Sequence, residues 1–102
     1  MVSQLFDIRY SQVAVDDLKP LRPFDQTKIL EAIETHLAHE PTKVSRSRIK
    51  LMAQPFWCQY RLRVEQYRVY YDVGEQNKVI DVLRILHKGQ GETPKEPGHD
   101  PN

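Results

Sequence analysis

The first apolar pattern in the chain has a period of two. Phe6, Ile8 and Tyr10 share one side of Leu5–Tyr10 and Asp7 and Arg9 the other, which predicts a strand. Ser11 then offers a side-chain acceptor to the amides that open a helix. The short helix it caps carries Ala14 and Leu18 inward and stops before Pro20. Beyond the break at Leu21-Arg22-Pro23 the period lengthens to that of a second, longer helix. Asp25 is its expected N-cap, Phe24 is expected to staple onto Ile29, and Leu30, Ile33 and Leu37 form the predicted buried stripe, with Lys28, Glu31 and Glu34 outward. Pro41 ends this helix, and residues 42–55 follow as a polar, basic connection whose apolar positions show no clear period.

From Phe56 the period returns to two. Phe56, Cys58, Tyr60, Leu62 and Val64 fall on one face, with Trp57, Gln59, Arg61 and Arg63 on the other. Tyr67, Val69, Tyr71 and Val73 alternate in the same way with Arg68, Tyr70 and Asp72. Glu65-Gln66 between the two runs reads as a two-residue hairpin loop, and Gly74-Glu75-Gln76-Asn77 as a turn into a last strand from Lys78 to His87. The expected architecture is α+β: an N-terminal strand plus a three-strand meander, a small antiparallel sheet packed on a two-helix hairpin. Residues 1–88 make one domain, and the polar Gly- and Pro-punctuated stretch 89–102 is expected to be a tail without fixed structure.

Composition narrows the function classes. A chain of 102 residues holds one modest core. No apolar run approaches the roughly 18 residues needed to cross a bilayer, and the N-terminus lacks the basic and apolar regions of a signal peptide, so a cytoplasmic protein is expected. Cys58, the only cysteine, excludes an internal disulfide and a Cys-rich zinc site and is expected in the core. No His or carboxylate spacing matches a metal site, no Gly-rich phosphate loop occurs, and no cofactor is expected. His36, His39 and His99 read as surface residues of a helix and of the tail.

The net charge of +1 conceals an asymmetry. Residues 42–71 hold seven basic side chains (Lys43, Arg46, Arg48, Lys50, Arg61, Arg63, Arg68) and one acid, Glu65, a net of +6. Such a band favours polyanions. The two-residue loop makes it a structured feature, because setting Val64 opposite Tyr67 sets Leu62 opposite Val69, Arg61 opposite Tyr70 and Arg63 opposite Arg68. Two guanidinium groups in directly opposed positions repel unless carboxylates such as Asp72 or Asp81, or water, intervene. With an anion between them they match phosphate oxygens. Trp57 and Tyr70 on the same face offer flat surfaces for base stacking. With Val73 opposite Lys78 the last strand is expected to bring Leu83, Ile85 and His87 to the Arg face, with Lys88 beside them.

Phe6-Asp-Ile-Arg-Tyr, the helical hairpin, Ile49-Lys-Leu, Tyr60-Arg-Leu-Arg-Val, Tyr67-Arg-Val-Tyr-Tyr-Asp-Val and Val82-Leu-Arg-Ile-Leu-His-Lys together resemble a RelE/ParE superfamily toxin of bacterial type II toxin–antitoxin systems, over about residues 5 to 89. The resemblance implies a small sheet on a helical hairpin, a cognate antitoxin as partner, and one of two activities. RelE-type members cleave mRNA on the ribosome; ParE-type members poison DNA gyrase. Carried onto this chain, the RelE-type basic residues of the central strands fall on Arg61, Arg63 and Arg68, and the last-strand group on His87 or Lys88. The tyrosine that such enzymes place just after that strand has no counterpart, since Gln90-Gly-Glu-Thr-Pro occupies the stretch. The implied reaction is metal-independent attack of the ribose 2′-OH on the adjacent phosphorus. Arg63 and Arg68 are expected to hold the phosphorane, His87 to move a proton, and Arg61, Lys88, Lys50, Trp57 and Tyr70 to contact RNA.

Overall fold

The structure, a computed structural model, describes residues 5–89. The elements run β1 (Asp7–Tyr10), α1 (Gln12–Leu18), α2 (Pro23–Leu37), β2 (Ile49–Leu51), β3 (Tyr60–Val64), β4 (Tyr67–Gly74) and β5 (Val79–His87). The five strands form one sheet in the order β1-β5-β4-β3-β2, and both helices cover one of its faces. The fold is α+β, but the sheet is mixed: β1 lies parallel to β5, and every other pairing is antiparallel. A helical hairpin between β1 and the meander returns the chain to the far edge of the sheet, so β1 joins β5 from outside and in the same direction. The polar tail beyond Gly89 lies outside the described residues.

The core forms where the two periods meet. Ile29, Ile33 and Leu37 of α2 and Ala14 of α1 are buried against Ile49, Leu62, Val64, Val69, Tyr71, Ile80, Val82 and Ile85. Ile49, Leu62, Val69 and Ile85 are successive cross-strand partners, so one apolar row crosses four strands. The Tyr71 hydroxyl, buried in this core, donates to the Pro41 carbonyl at 2.6 Å, which satisfies both groups.

Ser11 caps α1 as expected, its hydroxyl accepting from the Ala14 amide. The start of α2 differs from expectation. Arg22 is the N-cap and Pro23 opens the helix, where its missing amide hydrogen costs nothing. Asp25 therefore sits inside the first turn, accepting from the Tyr67 hydroxyl at 3.2 Å. This earlier start turns Phe24 outward, 67% exposed under the Lys28 ammonium, so it is no staple. Ile29 takes the buried place in the stripe, and Leu30 lies at its margin, 37% exposed.

Two further departures bear on the site. The connection between α2 and the meander contains a strand, β2, too short for a period to show. The β4–β5 register is also shifted: Val73 faces Ile80, because Lys78 is taken up by the turn at φ 56°. Tyr71 then faces Val82 but Tyr70 faces Arg84, which leaves Leu83 unpaired as a bulge. The bulge exchanges the faces of everything after it. Ile85 enters the main core, Leu86 turns to the Arg face, and His87 faces Tyr67 on the helix side.

Helix α1 holds the bulge in place. The Ser11 hydroxyl donates to the Leu83 carbonyl at 3.0 Å, and the Asp17 carboxylate accepts from the Ile85 amide at 3.0 Å. Asp17 also takes Arg84 bidentately, at 3.1 and 2.8 Å. Asp17→Ala strands a partly buried amide and a guanidinium together. It is expected to cost about 1–3 kcal/mol, read as a lowered urea midpoint with an unchanged slope.

Candidate nucleic-acid interface

The β3–β4 hairpin has the register its loop predicts, with Arg63 opposite Arg68 and Arg61 opposite Tyr70. β2 extends the pattern, since Lys50 pairs with Arg61 and the Arg63 amide donates to the Arg48 carbonyl. The sheet face away from the helices thus carries two rows, Lys50–Arg61–Tyr70 and, beside it, Arg63–Arg68–Leu86, while Arg84, the backbone partner of Tyr70, is drawn to Asp17 of α1. Residues 44–50 rise along one side and, with Arg61, Arg63 and Arg68, line a groove of about 190 Å³.

Charge on this face is left uncompensated. Among the described residues, none of Arg46, Arg48, Lys50, Arg61, Arg63 and Arg68 has a carboxylate within ion-pair distance. The two candidate neutralisers are engaged elsewhere: Asp72 accepts from the Gln59 amide at 2.7 Å, and Asp81 pairs with Arg9 at 3.2 Å. Burial, reinforced by Arg61 and Arg63, lowers the Arg68 pKa. Arg68 is fixed by two donations from Nη1, to the Glu65 and Tyr67 carbonyls, each 2.9 Å. A fixed guanidinium among unpaired cations is organised to receive an anion.

The comparisons with known proteins agree with this fold. The sequence model for "ParE toxin of type II toxin-antitoxin system, parDE" matches residues 8–91. The chain belongs to this toxin family. Among solved structures it resembles the RelBE2 toxin–antitoxin complex of Mycobacterium tuberculosis (TM-score 0.69, 23% identity, 81% of this chain and 98% of that one). It also resembles the RelE–RelB complex of Pyrococcus horikoshii (TM-score 0.60, 23% identity, 84% and 98%). A third similar structure is a doubly substituted RelE toxin of Escherichia coli in the free state (TM-score 0.62, 19% identity, 87% and 90%). No curated protein sequence matches significantly. At these identities the likeness is one of fold, and it spans 81–87% of this chain.

The remaining expected site residues of the toxin divide into those that reach the basic face and those that do not. Lys50 lies on it, and Lys88, one residue past β5, is exposed and donates its amide to the Gln66 carbonyl. Tyr70 lies on it but is only 5% exposed, packed with Cys58 and Leu86 and covered by Met52, Phe56, Trp57 and Leu83. The covering segment is not the strand that the alternation from Phe56 predicts. β3 begins at Tyr60, and the residues before it cross the sheet face, tied by the Gln54 side chain to the Met52 and Cys58 carbonyls. Phe56 and Cys58 consequently belong to this second, smaller cluster rather than the main core. Burial pushes the Cys58 thiol up to about 12, which leaves it no nucleophile. Trp57 is half-buried, its ring 4.9 Å from Phe56 and 5.2 Å from Tyr70, the cross-strand partner of Arg61.

His87 is the principal correction. Its ring meets Tyr67 edge-on at 5.5 Å and lines a cleft with Asp16, Asp17 and Leu21 on the helix side. The Leu83 bulge put it there, so it does not share a face with Arg63 and Arg68. Arg46 and Arg48, by contrast, line the groove although no pattern assigned them to it. The signal available in the sequence was their membership of the +6 band; they lie in the bend before β2, where no period shows which way they turn.

Proposed function

We propose that this toxin arrests growth by cleaving mRNA presented by the ribosome, with the Arg61–Arg63–Arg68 face holding the scissile phosphate and its neighbours. The observation that carries this reading is the uncompensated Arg63–Arg68 pair on a rigid hairpin. The 2′-oxygen attacks phosphorus, the bond to the 5′-oxygen breaks, and a cyclic phosphate remains. Arg63 and Arg68 neutralise the charge that builds on the phosphorane. Arg61, Lys50, Arg46, Arg48 and Lys88 contact flanking phosphates, and Trp57 offers an edge for a base. With His87 on the opposite face, the proton leaving the 2′-oxygen and the one reaching the 5′-oxygen pass through water or ribosomal groups. His87→Gln is therefore expected to keep the cleavage rate within about threefold. A fall of about 10²-fold or more, typical of a lost general acid or base, would return His87 to the reaction.

A cognate antitoxin is the proposed partner, since the structural neighbours include toxin–antitoxin complexes. Among the described residues no helix is long and apolar enough to cross a membrane, and the proposed site of action is the cytoplasm. A second reading, inhibition of DNA gyrase through the same basic face, is favoured by one observation: among the described residues that face carries guanidinium groups but no imidazole. The test adds purified toxin in parallel to programmed ribosomes, with cleavage mapped by primer extension, and to gyrase with relaxed plasmid. Intact A-site mRNA together with blocked supercoiling would select gyrase.

A further inference from the structure

Glu65 is the one acid within the +6 band, and it stands at the tip of the hairpin that carries Arg63 and Arg68. Arg68 Nη1 lies 2.9 Å from the Glu65 carbonyl oxygen, so a guanidinium stands beside the Glu65 backbone. The Glu65 carboxylate is bonded elsewhere. Its Oε2 lies 2.6 Å from the Lys28 ammonium, which reaches across from α2 on the helix side. Lys28 is itself held: its ammonium stands 5.1 Å from the ring centroid of Phe24, one helical turn earlier.

We propose that Lys28 is a positioning residue that holds the Glu65 carboxylate on the helix side and so keeps the Arg61–Arg63–Arg68 cluster free of an internal counter-ion. The inference rests on the anion-binding reading of that cluster. Without Lys28, the Glu65 carboxylate turns to Arg68, whose Nη1 already bonds the Glu65 carbonyl, and an incoming phosphate must displace a carboxylate already in place. Both members of the latch are substantially exposed, Lys28 at 41% and Glu65 at 61% of the side chain. Its strength is accordingly that of a surface pair, a population shift of about threefold at low salt that fades as salt screens it.

The experiment measures binding of purified toxin to a fluorescent poly(U) strand of ~15 nucleotides, long enough to span the face. Lys28→Ala is expected to weaken binding about threefold at low ionic strength, and Lys28→Arg to restore it. Glu65→Gln alone binds as well as the parent or slightly better. Adding Lys28→Ala to Glu65→Gln is expected to change nothing further, because no carboxylate remains to be released. Lys19→Ala, which removes the same charge from the end of α1, is expected to leave affinity unchanged. If Lys28→Ala has no effect while Arg68→Ala weakens binding, the latch is refuted and the basic face stands. Equal loss from Lys28→Ala in both backgrounds also refutes it, showing Lys28 to act through its own charge or through the fold. If Arg68→Ala leaves binding unchanged, the anion-binding reading fails and the latch with it.

Discussion

Arg68→Ala is expected to lower mRNA cleavage on the ribosome about 10²–10³-fold while leaving the folding free energy unchanged or slightly improved. The two halves of this expectation come from the same geometry. Arg68 stands in the middle strand of the sheet, opposite Arg63, and its guanidinium is fixed by the Glu65 and Tyr67 carbonyls. In the proposed reaction it is therefore already in place when charge develops on the phosphorane, with no reorganisation needed at that moment. The fold gains little from it in return. Burial and the neighbouring Arg61 and Arg63 all act against its charge, and water can replace it at the carbonyl of the exposed loop residue Glu65. Arg68→Lys keeps a charge but not the planar fork, and is expected to recover only part of the rate. Arg61→Ala, in the neighbouring row, is expected mainly to weaken binding, with a salt-dependence slope smaller by about 0.7. Primer extension on programmed ribosomes reads the rates, and urea denaturation reads the stability.

The sequence yields the part of the site that depends on local pairing. Glu65-Gln66 sets the hairpin register, and the match of Leu62 with Val69 confirms it without any other element, so the Arg63–Arg68 opposition is legible from about ten residues. What the sequence does not yield depends on contacts made at a distance. Leu83, Ile85 and His87 alternate as a regular strand should. The packing of α1, through Ser11 on the Leu83 carbonyl and Asp17 on the Ile85 amide, holds the bulge that exchanges the faces of Ile85 and His87, while Leu83 keeps its expected place beside Tyr70. Phe56 and Cys58 likewise have the spacing of strand residues, but Asp72 takes the Gln59 amide and the Gln59 side chain takes the Val73 amide, which replaces ladder pairing with side-chain pairing. In α2 the error is one of phase. Pro23 is as good a first helical residue as Asp25 is a cap, and choosing the earlier start replaces Leu30 by Ile29 in the core.

Leu62→Ala is the counterpart of Arg68→Ala, expected to cost roughly 2–5 kcal/mol of stability and to leave the basic face of each folded molecule working. Leu62 is completely buried, flanked across the sheet by Ile49 and Val69. Helix α2 packs over β3 and adds Ile33 to the same core. The strands beside it are fixed by their ladders and cannot close over the lost methyl groups, so a cavity term adds to the transfer term. Such a loss is a large share of the ~5–15 kcal/mol that usually holds a domain together. Yet Leu62 lies between Arg61 and Arg63 in the chain, and the period of two turns those neighbours to the opposite face. The expected outcome is a clearly lower urea midpoint, with poly(U) affinity unchanged once corrected for the folded fraction. Loss of affinity beyond that fraction would mean that core and basic face are coupled through β3, and that the separation of stability from binding along this strand is incomplete.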